Sequence, residues 1–139
     1  MNYNLSVSAD RSLGKSGYIL CSKGNVITYK VSRFKGSNIK ENILRQIESG
    51  LRECKNILHH DDNLYIEVQN SHLCDWLNGR IEKKDYSKCL SDVFDVLEML
   101  DCMYKFIYVQ GTLAASYIAS KEFSKVETSS IDDLMSEFE

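Results

Sequence analysis

Two carboxylates occupy positions from which a divalent cation could be held: Asp10 ends an alternating strand, and Glu41 lies in the first turn of an amphipathic helix. Oxygen donors of this kind suit magnesium or manganese. Magnesium needs only one or two protein carboxylates when substrate phosphates complete its shell. Each acid also has a purely local explanation, since aspartate favours turns and glutamate complements the positive N-terminal end of a helix. The run His59-His60-Asp61-Asp62 carries ligand types, but neighbouring residues point in different directions, so it reads as a polar loop. His72 is a candidate for phosphate contact or proton transfer. The sequence contains no Walker loop, dinucleotide-binding glycine pattern or nucleophile elbow. The five cysteines (Cys21, Cys54, Cys74, Cys89, Cys102) are scattered and form no C-x-x-C pair. They suggest neither a disulfide framework nor a zinc ribbon and read as reduced core residues.

The elements that must position these groups follow from periodicity. Tyr3, Leu5, Val7 and Ala9 alternate with Asn4, Ser6, Ser8 and Asp10, the period of a half-buried strand. Gly14 and Gly17 bracket a turn, and two more strands follow, Tyr18 to Cys21 and Val26 to Val31, joined by Lys23-Gly24-Asn25. From Asn38 the period changes. Ile39, Ile43, Leu44, Ile47, Leu51 and Cys54 make one helical stripe, capped by Ser37 or Asn38. A fourth strand (Leu64, Ile66, Val68) ends at Asn70, and a short helix bearing Leu73, Trp76 and Leu77 stops near Asn78-Gly79. A helix from about Ser87 carries Leu90, Val93, Phe94, Leu97 and Leu100. Phe106 to Val109 form a fifth, apolar strand, and a last helix spans about Thr112 to Phe123. This order argues an α/β fold, a mixed sheet covered by helices.

The order and its local motifs resemble the ribonuclease H-like family over roughly residues 1–123. In that family the first strand ends in an aspartate followed by a small-residue turn and a Gly-containing strand, matched by Ala9-Asp10-Arg11-Ser12 with Gly14 and Gly17. Its first helix opens Asn-x-x-Glu, matched by Asn38-Ile39-Lys40-Glu41. Its fourth strand ends Asp-Ser with a Trp a few residues on, where this chain has Asn70-Ser71 and Trp76. The family's Val-x-Gly-His and final helix-borne aspartate correspond to Val109-Gln110-Gly111-Thr112 and Ser116. The resemblance implies a five-stranded mixed sheet, three antiparallel strands then two parallel additions, flanked by helices. It also implies a catalytic site at Asp10, Glu41, Asn70 and Ser116, of which the last two are not acids. Such sites place two divalent ions about 4 Å apart. Asp10 and Glu41 could hold one magnesium or manganese weakly, and Asn70 could offer a neutral oxygen.

The net charge of −3 is unevenly spread. Five acids (Glu127, Asp132, Asp133, Glu137, Glu139) fall in the last thirteen residues with no Lys or Arg, leaving 15 acids against 17 bases, a body of +2. Lys30, Arg33, Lys35 and Lys40 lie between the third strand and Glu41, where family members pass a duplex backbone, and are the candidate phosphate-binding group. Arg80, Lys83, Lys84 and Lys88 form a second group after the Trp76 helix. In the acidic tail, Ile131, Leu134, Met135 and Phe138 stand at i, i+3, i+4 and i+7, an apolar stripe suited to a partner's groove, with Ser130 placed to cap one helical turn. It resembles bacteriophage sliding-clamp-binding peptides.

Length and a 43% hydrophobic fraction fit one domain over residues 1–123 with a tail over 124–139. No membrane-length apolar run or secretory signal is visible, so an intracellular, reducing, cytoplasmic location is expected. Three functions remain open from sequence: a ribonuclease H-like nucleic-acid-associated protein, non-catalytic or weakly catalytic, in a replication, repair or transcription assembly; an active metal-dependent nuclease on RNA/DNA hybrids; or a protein-interaction module that uses the fold as a scaffold.

Overall fold

The computed structural model describes residues 1–120 together with Ser129 and Ser130. The sheet is built from β1 (Asn2–Asp10), β2 (Lys15–Ser22), β3 (Asn25–Arg33), β4 (Asn63–Val68), β5 (Met103–Tyr108) and a two-residue β6 (Ser129–Ser130). Its helices are α1 (Ile39–Ile57), α2 (Ser71–Gly79), α3 (Ser87–Met99) and α4 (Leu113–Ala119), with one 3-10 turn at Lys84–Tyr86. The strand order is β5-β4-β1-β2-β3-β6. Antiparallel pairing joins β1, β2 and β3, and β4 and then β5 add in parallel to β1. The five-stranded mixed sheet expected from sequence is therefore present. Ser130, expected to cap a helix, instead pairs through β6 with Thr28. The stripe Ile131, Leu134, Met135 and Phe138 lies outside the described residues, as do residues 121–123 of the expected last helix.

Local chemistry explains the elements. Lys23 (φ 53°) and Gly24 (φ 78°) both take positive φ, the geometry of a two-residue turn that matches strand twist, so the β2–β3 hairpin closes on two residues rather than three. Asn38 caps α1, its side-chain oxygen accepting from the Glu41 N–H at 3.1 Å. The stripe Ile43, Leu44, Ile47, Leu51 and Cys54 is buried against Leu5, Val7 and Leu20, with α3 packed alongside α1 through Leu90, Val93 and Leu97. Ile39, expected on that stripe, is instead 40% exposed at the first position of the helix.

The second face of β1 departs from the sequence expectation. Ser6 and Ser8 were expected on the solvent face of a half-buried strand, yet both are buried, because α4 covers that face. Small hydroxyls let the helix approach, and the Ser6 hydroxyl accepts from the Ala114 N–H at 2.9 Å. On this side Ile19, Tyr29 and Val31 pack against Ala114 and Ile118 as a second, smaller core. The apolar strand β5 forms one edge of the sheet: Phe106 is buried while Met103 and Tyr108 are exposed. The side chain of Asn78 hydrogen-bonds both the carbonyl and the N–H of Phe106, so part of that edge is satisfied from α2. Among the described residues no helix is long and apolar enough to cross a membrane.

Candidate functional site

Because β1, β4 and β5 are parallel, their C-terminal ends share one end of the sheet, and the chain leaves each of them there. Asp10, Asn70 and the Gly111-Thr112 turn lie at these exits. Since β3 runs parallel to β1, the start of α1, with Glu41, lies at the same end. Topology thus gathers Asp10, Glu41 and Asn70 at one sheet end. Ser116, on α4, is exposed. Asp10 shares strand parity with Ser6 and Ser8 on the α4 side, whereas Glu41 opens the helix on the opposite face.

Each position has a definite local state. One carboxylate oxygen of Asp10 accepts from the Ser12 hydroxyl at 2.6 Å and the Leu13 N–H at 3.0 Å. The Ser12 bond, then the Leu13 bond, holds its pKa below the ordinary carboxylate value, so Asp10 is ionised at neutral pH. Glu41 is exposed and lines a cleft. Asn70 is half-buried and caps α2, its amide oxygen accepting from the Leu73 N–H at 3.0 Å. Thr112 is buried, donates to the Val7 carbonyl at 3.2 Å and accepts from the Ala115 N–H at 3.2 Å. Asn70 and Thr112 therefore each perform a capping task that an acid or histidine would not be required for.

The cleft beside Glu41 opens between β3 and the first turns of α1, with a volume of about 290 Å³. Ser16, Lys30, Arg33, Lys35, Arg45 and Gln46 line it together with Glu41 and Glu48. Three of the four bases expected to meet phosphate thus share one cavity. The fourth, Lys40, lies elsewhere: its ammonium sits 5.8 Å from the centre of the Trp76 ring, and that of Lys83 sits 5.2 Å from the same ring. Tyr86 packs on Trp76 at 5.5 Å between ring centres and bonds Asn38 through its hydroxyl. Two ammonium groups thus lie within reach of the Trp76 ring. Within the second basic group, Arg80 is engaged by Glu98 and Tyr104 and Lys88 by Asp92, while Lys83 lies at the Trp76 ring and Lys84 in the 3-10 turn.

Sequence reasoning missed Gln46, Asn42 and Ser16. Asn42 pins the loop before α1 by accepting from the Lys35 N–H and donating to the Lys35 carbonyl, each at 2.8 Å. Gln46 donates to the Ser16 hydroxyl at 3.0 Å. The available signal was a polar line of Asn42, Gln46 and Ser49 at helical spacing beside the apolar stripe.

These donors do not fit a pair of divalent ions. Two carboxylates are present at the sheet end, one amide oxygen there is committed to a helix cap, and Ser116 carries no charge. Among the described residues no group of three or more His, Cys, Asp or Glu side chains is placed to hold a metal. Bridging two dications requires more negative charge than Asp10 and Glu41 supply. His59 and Asp62 close a loop, the Asp62 carboxylate accepting from the His59 N–H at 2.7 Å and the Asp62 N–H donating to the His59 carbonyl at 3.0 Å, and His72 is exposed in the first turn of α2.

No protein-family model and no curated protein sequence matches the chain. Solved structures do match in shape. A ribonuclease H1 from the halophilic archaeon Halobacterium salinarum superposes with a TM-score of 0.61 at 14% identity, covering 78% of this chain and 86% of that one. The N-terminal ribonuclease H domain of a Mycobacterium tuberculosis protein, solved as a fusion with maltose binding protein, gives 0.62 at 11% identity over 78% and 81%. A ribonuclease H1 solved in complex with an RNA/DNA hybrid gives 0.63 at 6% identity over 77% and 84%. Strand order, helix placement and these superpositions together establish that the chain has the ribonuclease H-like fold.

Proposed function

We propose that this protein is a nucleic-acid-associated ribonuclease H-like module, non-catalytic or weakly catalytic, acting within a replication, repair or transcription assembly. The observation that carries the reading is the state of the sheet end. Asp10 is ionised and fixed by its turn, but Asn70 spends its amide oxygen on capping α2, and Ser116 is an exposed hydroxyl. A site of this composition retains a docking surface and lacks the charge for two-metal hydrolysis.

Association with nucleic acid is supported by Lys40 and Lys83, whose ammonium groups gather beside the Trp76 ring and could meet phosphate there. It is also supported by Lys30 and Lys35 beside Glu41, and by the RNA/DNA hybrid held by one of the structures of the same fold. The Ile131 to Phe138 stripe is proposed as a partner-binding peptide suited to a sliding clamp, and the protein as an intracellular one.

The experiment is cleavage and binding of an end-labelled RNA/DNA hybrid with magnesium or manganese, comparing the protein with Asp10→Asn and Glu41→Gln variants. Salt-sensitive binding without cleavage is the expected result. Cleavage lost in both variants would establish an enzyme instead. Absence of binding by folded protein would favour the scaffold reading, tested by whether a partner captures the intact chain but not one lacking residues 131–139.

A further inference from the structure

We propose that the cleft between β3 and α1 is a binding site for a small phosphorylated compound bearing a hydroxyl close to its phosphate, a sugar phosphate. This reading does not depend on nucleic-acid association. It begins at the floor of the cleft. Gln46 is 7% exposed, and its side-chain oxygen is buried with no hydrogen-bond partner. A buried acceptor left unmet forfeits its hydration with nothing in return, so such an atom usually marks a missing donor. Beside it the Ser16 hydroxyl, 1% exposed, already accepts from the Gln46 amide nitrogen at 3.0 Å, which leaves its own proton to give. The floor thus presents one acceptor and one donor side by side. A ligand hydroxyl, which both donates and accepts, satisfies the two at once.

The rim specifies the other half of the ligand. Lys30 and Lys35 line the opening, and among the described residues neither ammonium has an ion-pair partner. Lys35 stands on a loop whose backbone Asn42 holds through two hydrogen bonds, so its position is set before a ligand arrives. Arg45 is engaged by Glu48 and Asp92, and Glu48 is further neutralised by Arg52. Among the described residues Glu41 is the remaining acid of the lining, and one carboxylate weakens without cancelling the pull of Lys30 and Lys35. A volume of about 290 Å³ lies at the lower end of ordinary ligand cavities and suits a compact molecule.

Free sugar phosphates and the 5′-phosphorylated end of an RNA, through its 2′-hydroxyl, share this chemistry. The test is calorimetric titration of the full chain with ribose 5-phosphate, inorganic phosphate, ribose and a 5′-phosphorylated RNA trinucleotide. The variants are Lys30→Ala, Lys35→Ala and Gln46→Met, each first shown by thermal melting to be folded. Ribose 5-phosphate is expected to bind about tenfold more tightly than inorganic phosphate, equivalent to about one charge-free hydrogen bond. Gln46→Met should abolish that preference while leaving phosphate binding intact, and each lysine variant should weaken both ligands. Binding of the trinucleotide but not of ribose 5-phosphate would support the site and assign a chain end as its occupant. No heat with any ligand, equal affinity for phosphate and ribose 5-phosphate, or a preference that survives Gln46→Met would overturn the proposal.

Discussion

Replacing Asn70 separates the two roles that its position combines. In the structure its amide oxygen accepts the Leu73 N–H at 3.0 Å and so satisfies one of the unpaired donors at the start of α2. Asn70→Ala removes that bond, and loss of an N-cap costs about 1 kcal/mol. For a domain of this size that is a fall in Tm of about 3–4 °C. Asn70→Asp keeps the acceptor and adds a negative charge at the helix N-terminus, worth about 0.3–1 kcal/mol. Its melting temperature at neutral pH should therefore equal or exceed that of the parent. A capping carboxylate has its pKa lowered by the N–H it accepts, so this added stability is present above the unfolded-state value and disappears as pH falls through the folded one. The parent amide does not titrate, and the two curves should converge in acid. Circular dichroism melts at several pH values measure this directly. If Asn70→Asp melted with Asn70→Ala at neutral pH, the capping account of this residue would be wrong. The same variant, assayed on a labelled hybrid with magnesium, asks whether the missing charge is what limits hydrolysis. Cleavage gained there would locate the block at Asn70, and cleavage gained only with Ser116→Asp added would require both sites.

Gly17→Ala should destabilise by at least about 2 kcal/mol, because a Cβ there would lie 2.5 Å from the Lys30 carbonyl oxygen and 3.2 Å from Ile118, forcing β3 and α4 outward; an unchanged urea midpoint would refute this. Gly50→Ala sets a gain in helix propensity of about 1 kcal/mol against Cβ contacts of 2.8 and 2.9 Å with the buried Leu5 methyls, and a net loss in the same assay is expected. Burial raises the Cys54 thiol to about 12, so folding favours its protonated form, and stability should be intact below pH 9 and fall as pH rises toward 12. Cys54→Ala should flatten that alkaline slope even though it lowers stability at neutral pH, and a slope identical to the parent's would exclude Cys54 as its source. Lys83→Ala should reduce the salt dependence of hybrid binding by about one phosphate contact, and an unchanged salt slope would remove Lys83 from the interface.

The local elements were legible in the sequence because each is specified by neighbours a few residues away. Alternation in β1, the three-to-four spacing of α1, the Asn38 cap and the positive-φ hairpin all arise from short-range geometry. Asp10 and Glu41 could be marked for the same reason, since a strand end and a first helical turn are sequence positions. What the sequence could not decide was which faces would be covered and which distant side chains would meet. Ser6 and Ser8 are buried because α4, more than a hundred residues later, lies on them. The basic residues Lys30, Arg33, Lys35 and Lys40, close together in the chain, divide between a cleft and an aromatic ring because β3 ends and α1 turns away between them. The pairing of Gln46 with Ser16 joins residues thirty apart. Contacts of this kind depend on how helices seat on the sheet, a balance struck over the whole core, and only the tertiary structure expresses it.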